Sequence, residues 1–149
     1  MIEQITYKAK IEYRDVPDMA RGIIEPLIDR YSALLPTWAQ LIYVHWGDAG
    51  DGKGATIECI ANYSYRFFSM TFDPSFLPQR EDEHRTQVIH EILHASSCVM
   101  ADWARDTINR IVPESEAPKF RESLLEELRQ RHESFVQDLA LRLVDMLPK

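Results

Sequence analysis

Hydrophobic and polar residues alternate through the first half of the chain, which is the pattern of half-buried β-strands. The alternation is clearest from Ile5 to Tyr13, where every second residue is apolar. Residues 39–46 predict a second strand, and the β-branched and aromatic residues of 55–73 predict one long strand or two shorter ones. Residues 17–35 have a helical pattern, with a kink expected near Pro26.

The segment GDAGDGKG, residues 47–54, contains four of the five glycines of the chain and separates two predicted strands. Glycine adopts positive φ angles without steric cost, so this segment predicts a hairpin connection. Its first seven residues also match the GxxxxGK part of a phosphate-binding loop. Gly54 stands where that loop needs a hydroxyl residue, and a strand-like segment follows instead of a helix. We therefore favour the hairpin.

The pattern becomes helical after Pro78. Three acidic residues, 81–83, begin this helix where its dipole favours negative charge, and its buried face is predicted to contain Val88, Ile92, Ala95 and Val99. Residues 101–118 predict a mixed connection with at most a short helix. A long amphipathic helix is predicted from Lys119 to Leu147. Strands grouped before helices indicate a single α+β domain over residues 1–149.

Composition and charge narrow the class of protein. The chain is 45% hydrophobic and 28% charged, which is ordinary for a globular protein. A net charge of −7 disfavours nucleic-acid binding, and no apolar run reaches the ~18 residues that a membrane span needs. The N-terminal residues lack the apolar core of a signal peptide, and the two isolated cysteines fit a reducing compartment. We therefore expect a cytoplasmic protein.

The stretch VIHEILHASSC, residues 88–98, contains the motif HExxH, with His90, Glu91 and His94. Helix positions i and i+4 share a face, so the two imidazoles can bind one zinc ion (Zn2+). Glu91 is rotated by about 100° from His90, so its carboxylate can accept a proton from the attacking water without being a ligand. The motif therefore predicts a catalytic zinc site. His84 is expected on the exposed side of the same helix.

Two other interpretations account for the same motif. The chain could be a catalytically silent interaction or regulatory module with a structural or vestigial metal site. A structural site is closed by a fourth protein ligand and has no use for a base, so the presence of Glu91 favours the enzyme. The two histidines could also occur by chance in a helix that binds no metal.

An HExxH helix between a β-rich segment and a long late helix resembles the zincin metallopeptidases. The resemblance is to the small glutamate-liganded type found in phage and mobile-element proteins, and it covers about residues 57–148. It implies a minimal zincin-like domain, with a small antiparallel or mixed sheet packed on the HExxH helix and the C-terminal helix, that hydrolyses a protein or peptide. It also implies that the strand RFFSMTF, residues 66–72, lies at the cleft edge and pairs with an extended substrate.

The third metal ligand lies outside the HExxH motif. Met100 occupies the position, six residues after His94, where a longer signature would place another histidine. The resemblance implies Glu133 on the late helix, because related phage enzymes have a glutamate there followed by the spacing seen in Val136, Gln137, Leu139 and Ala140. His132 competes, since it lies nearer the centre of the apolar stripe of that helix. Weaker candidates are Asp102, Glu126 and Glu127.

Overall fold

A computed structural model of the chain describes residues 9–50, 54–115 and 117–147, which form a four-stranded mixed sheet and three α-helices. The strands are β1 (Lys10–Arg14), β2 (Leu41–Trp46), β3 (Ile57–Asn62) and β4 (Phe67–Phe72). The helices are α1 (Asp18–Arg30), α2 (Glu81–Ile111) and α3 (Pro118–Met146). The predicted α+β class is confirmed, while Ile5 and Tyr7 of the first predicted strand lie outside the described residues.

The strand order in the sheet is β1-β2-β4-β3. β2 is parallel to both of its neighbours, β1 and β4, whereas β3 runs antiparallel to β4 at the edge. The predicted hairpin over the glycine-rich segment is therefore wrong, because β4 lies between the strands that this segment connects. Gly50 and Gly54 do adopt the positive φ angles, 83° and 78°, that glycine permits. The hairpin lies instead between β3 and β4, within residues 55–73.

The apolar residues of β4 explain why this strand lies inside the sheet and not at its edge. β4 contributes Phe68, Met70 and Phe72, none of which is exposed to solvent. A strand with three such residues buries most apolar area when it has neighbours on both sides. Buried residues of α1 and α2 complete the same core, among them Ile24, Ile28, Val88, Ile89 and Ile92.

Helix α2 is longer than predicted. It spans 31 residues and continues through residues 101–111, which were expected to form a mixed connection. Only the short segment between Ile111 and Pro118 separates α2 from α3. The two helices form an antiparallel hairpin, because Arg85 contacts Val144 and Ser97 contacts His132. Within the described ranges, neither helix has a stretch long and apolar enough to cross a membrane.

His84 is buried, contrary to the prediction that it is exposed. Its side chain donates a hydrogen bond from Nε2 to the backbone oxygen of Phe76, at 2.6 Å, and its ring stacks on the Phe76 ring. Phe76 belongs to a short 3-10 turn (Pro74–Phe76) that precedes α2 and folds back over the first turn of the helix. His84 lies one helical turn before Val88 and therefore on the buried face of α2, not on the exposed side that was predicted, and the 3-10 turn covers it there.

Arg85 connects three parts of the fold. Its Nε donates to the hydroxyl of Tyr31, at 2.7 Å, and its guanidinium donates to the backbone oxygens of Val144 and Leu147, at 2.9 and 3.4 Å. Carbonyl oxygens at the end of a helix lack partners within the helix, and the helix dipole favours a cation there. These hydrogen bonds hold the end of α3 against the start of α2. Since Arg85 is only 6% exposed, they are largely shielded from water.

Replacing Arg85 with methionine is expected to lower the free energy of unfolding by about 2–4 kcal/mol, because buried hydrogen bonds from a charged donor are lost. Urea denaturation monitored by circular dichroism measures the change. Arg142→Met is the matched control: Arg142 is exposed on α3 and makes no ion pair with another described residue. We expect it to change stability by less than about 0.5 kcal/mol. Equal effects of the two substitutions would contradict the role assigned to Arg85.

Candidate metal centre

The α2–α3 hairpin brings His90, His94 and Glu133 together. His90 and His94 lie one turn apart on α2, and their Nε2 atoms are 2.9 Å from each other. From α3, Oε2 of Glu133 lies 3.3 Å from Nε2 of His94 and 3.7 Å from Nε2 of His90. Both histidine side chains are largely buried, whereas Glu133 is half exposed, so the group opens toward solvent on one side.

The geometry and chemistry of this group fit a zinc ion. Ligand atoms about 2.0–2.1 Å from one tetrahedral zinc lie about 3.3 Å from one another, and the three separations in this group bracket that value. Two imidazole nitrogens and one carboxylate oxygen are also a donor set that catalytic zinc sites use. Within the described residues, the group contains three potential ligands, so a metal held there would keep an open position.

His132, the competing candidate, lies beside the group. Its ring is 5.0 Å from the ring of His94, but its Nε2 is 2.7 Å from Oγ of Ser97. The Ser97 hydroxyl lies 2.7 Å from the backbone oxygen of Leu93, which can only accept a hydrogen bond. The hydroxyl therefore donates to Leu93 and accepts from His132, and Nε2 of His132 is not free to bind a metal. Sequence spacing missed this contact because its partners lie on different helices.

The three weaker candidates for the third ligand form ion pairs with arginines elsewhere on the surface. Glu126 pairs with Arg129 and Glu127 pairs with Arg131, both within α3. Asp102 pairs with Arg105 one turn away on α2. None of these three carboxylates joins the group formed by the two motif histidines and Glu133.

Without a bound cation, burial favours the neutral forms of His90, His94 and Glu91. Burial lowers the pKa of His90 and of His94, with the carboxylate of Glu133 acting in the opposite direction. Neutral imidazole is the form that ligates metals. Burial raises the pKa of Glu91 to about 8, and the carboxylates of Glu133 and Glu58 add to the effect. A cation held by the group would favour the ionised form of Glu91.

Two cavities meet at the group. One, of about 550 Å³, extends toward Thr86, Gln87 and Gln137. The other, of about 610 Å³, extends along β3 toward the C-terminal half of α2. His90 and Glu91 line both cavities, so the candidate metal centre lies on the floor of a continuous groove rather than in a closed pocket.

Strand β3 forms one wall of this groove and presents free backbone groups to it. The N–H of Asp73 donates to the oxygen of Thr56, at 2.9 Å, so these two residues form a hydrogen-bonded pair beside the β3–β4 ladder. Hydrogen-bonded and non-hydrogen-bonded pairs alternate in an antiparallel ladder. The backbone groups of Ile57, Cys59 and Ala61 therefore point away from β4, and these three residues line the larger cavity.

The edge strand is thus β3 and not β4, which corrects the prediction for RFFSMTF. β4 pairs with β2 on one side and with β3 on the other, so its backbone cannot pair with a substrate. Alternation identified both segments as strands, but it does not specify which of them lies at the edge.

No protein-family model matches the chain, and searches of curated proteins and of solved structures find no match. Support for a function therefore comes from the residues and their geometry alone. The four residues singled out by sequence, His90, Glu91, His94 and Glu133, all line the larger cavity. Sequence reasoning did not assign Gln137 to the groove, although its position one turn after Glu133 on α3 would have placed it there.

Proposed function

We propose that this protein is a zinc-dependent metallopeptidase of the zincin-like, phage or mobile-element type, which hydrolyses a protein or peptide substrate in the cytoplasm. His90, His94 and Glu133 would hold the zinc ion. The observation that supports this most strongly is the convergence of their three donor atoms within 4.8 Å at the floor of an open groove. Glu91 adds a largely buried carboxylate to the same floor.

The residues of the chain divide the chemistry between them. When bound, zinc supplies a Lewis acid that polarises a carbonyl and allows water to lose a proton near neutral pH. Glu91 accepts that proton as the water oxygen bonds to the carbonyl carbon, and then donates it to the nitrogen that leaves when the C–N bond breaks. Burial in the groove limits bulk water around Glu91 and so maintains its basicity for the first step.

The open position favours catalysis over a structural role for the metal. A structural zinc site is closed by four protein ligands, whereas the described residues supply three. The adjacent base and the cavities on both sides are features that a silent interaction module does not require. The groove therefore supports hydrolysis more strongly than the alternative of a structural or vestigial site.

The groove fits an extended polypeptide. The outward backbone groups of Ile57, Cys59 and Ala61 can pair with a substrate strand, as in β-augmentation. Such pairing holds the peptide backbone along β3, while the cavities on either side of the metal accept its side chains. Main-chain pairing gives affinity for extended peptides in general, and the cavities supply selectivity.

Glu91→Gln is expected to retain one zinc ion per chain and to lower peptide hydrolysis by at least about 100-fold, because an amide cannot accept the proton. Zinc content by elemental analysis and cleavage of a peptide mixture by mass spectrometry measure the two effects. Glu127→Gln is the matched control, since Glu127 is exposed on α3 and pairs with Arg131. Undiminished hydrolysis by zinc-loaded Glu91→Gln would rule out this role for Glu91.

Removing one outward N–H from β3 tests the pairing with substrate. We expect Ala61→Pro to lower kcat/KM for peptides about tenfold, since one main-chain hydrogen bond is lost while the β3–β4 ladder is kept. Ala61→Ser retains the N–H and is the control. Ile60→Pro serves as a contrast: it removes a donor that faces β4 opposite Ser69, so it should lower the thermal midpoint instead. An unchanged kcat/KM in Ala61→Pro would exclude pairing at this position.

A further inference from the structure

The groove continues beyond the larger cavity. A third cavity, of about 530 Å³, lies past the end of β3 and shares Ala61, Asp102 and Arg105 with it. Its walls include Tyr63, in the turn after β3, and Trp103 and Asp106 on α2. Together the three cavities follow α2 from Asp82 to Asp106, a length of about 36 Å at 1.5 Å per residue.

The spacing along α2 indicates how far the third cavity lies from the candidate metal centre. Along α2, Trp103 is nine residues after His94, or about 13 Å. On the opposite wall, Tyr63 follows directly after the end of β3. A substrate strand that advances about 3.3 Å per residue covers the distance of about 13 Å in about four residues.

The chemistry of the third cavity suits a cation. Trp103 and Tyr63 are large aromatic residues that are 61% and 49% exposed, and the ring of Tyr63 is held by an edge contact with Trp38. The carboxylate of Asp106 makes no ion pair with any other described residue, whereas Arg105 is paired with Asp102. Aromatic faces beside a free carboxylate attract Lys and Arg side chains.

We propose that Tyr63, Trp103 and Asp106 form a distal subsite that binds a Lys or Arg side chain about four residues from the scissile bond. The proposal rests on the proposed peptidase function. It defines the preferred substrate as an extended polypeptide with a basic residue at that distance. The net charge of −7 also favours approach of a basic segment.

Cleavage profiling tests the subsite directly. The zinc-loaded full-length protein digests a mixture of randomised synthetic peptides about 14 residues long, which exceeds the length of the groove, and mass spectrometry locates each cut. We expect Lys and Arg to be enriched three to five residues from the cut on one side of the bond. The ratio of kcat/KM between basic and neutral peptides should fall about tenfold in Trp103→Ala and in Asp106→Asn.

Phe120→Ala and Asp138→Asn are matched controls, because both residues are exposed on α3 and neither lines the groove. They should retain the preference for basic peptides. Two results would overturn the proposal. One is enrichment of apolar residues, instead of Lys and Arg, three to five residues from the cut. The other is a preference for basic peptides that persists in Trp103→Ala and Asp106→Asn.

A binding measurement separates failure of the subsite from failure of the peptidase function. Zinc-loaded Glu91→Gln is titrated with a serine–valine peptide of about nine residues that contains one arginine, and with its norleucine counterpart. The NMR signal of the Trp103 indole N–H should shift with the arginine peptide alone. If wild-type protein cleaves nothing while this shift occurs, the peptidase function fails and the subsite stands. No shift, or an equal shift with norleucine, overturns the subsite.

Discussion

The register of α2 against α3 determines whether the three candidate metal ligands come together at all. His90 and His94 share a face because of helical periodicity, but Glu133 reaches them only through the packing of the two helices. Contacts along the hairpin fix this register, from Arg85 and Val144 at one end to Asn109 and Arg121 at the other. A slip of one turn would move Glu133 by about 5.4 Å, which exceeds every separation within the group.

The sheet supplies the second constraint, because it supports α2 and forms the wall opposite α3. Buried residues of α2, such as Val88 and Ile92, pack in the same hydrophobic core as the strands and so hold the HExxH helix against the sheet. The same packing desolvates Glu91 and raises the pKa of its carboxyl group. Placing β3 at the edge leaves the backbone of Ile57, Cys59 and Ala61 free along the groove. One arrangement thus creates both the buried carboxyl group proposed as the base and the surface proposed to bind an extended chain.

The features that depend on local pattern were predictable from the sequence, and those that depend on long-range packing were not. The HExxH motif predicted two candidate ligands and a candidate base, because helical spacing alone determines which face of the helix they occupy. Glu133 came from a family resemblance, and its place beside His94 depends on a register that periodicity does not encode. Strand order was missed because alternation is the same at an edge and in the centre. Residues 101–111 were missed as helix because they lie beyond the core, where no buried stripe marks them.

Zinc affinity, measured by competition with a chromophoric chelator, shows whether His90, His94 and Glu133 bind one zinc ion. Wild-type protein should bind about one zinc ion per chain. Glu133→Ala should weaken binding by more than about 100-fold, since loss of a mere supporting residue around a metal already costs 10–100-fold. His132→Ala should stay closer to wild type than Glu133→Ala. Absence of zinc binding by the wild-type protein would contradict the proposed metal site. Full binding by Glu133→Ala together with loss in His132→Ala would assign the third ligand to His132.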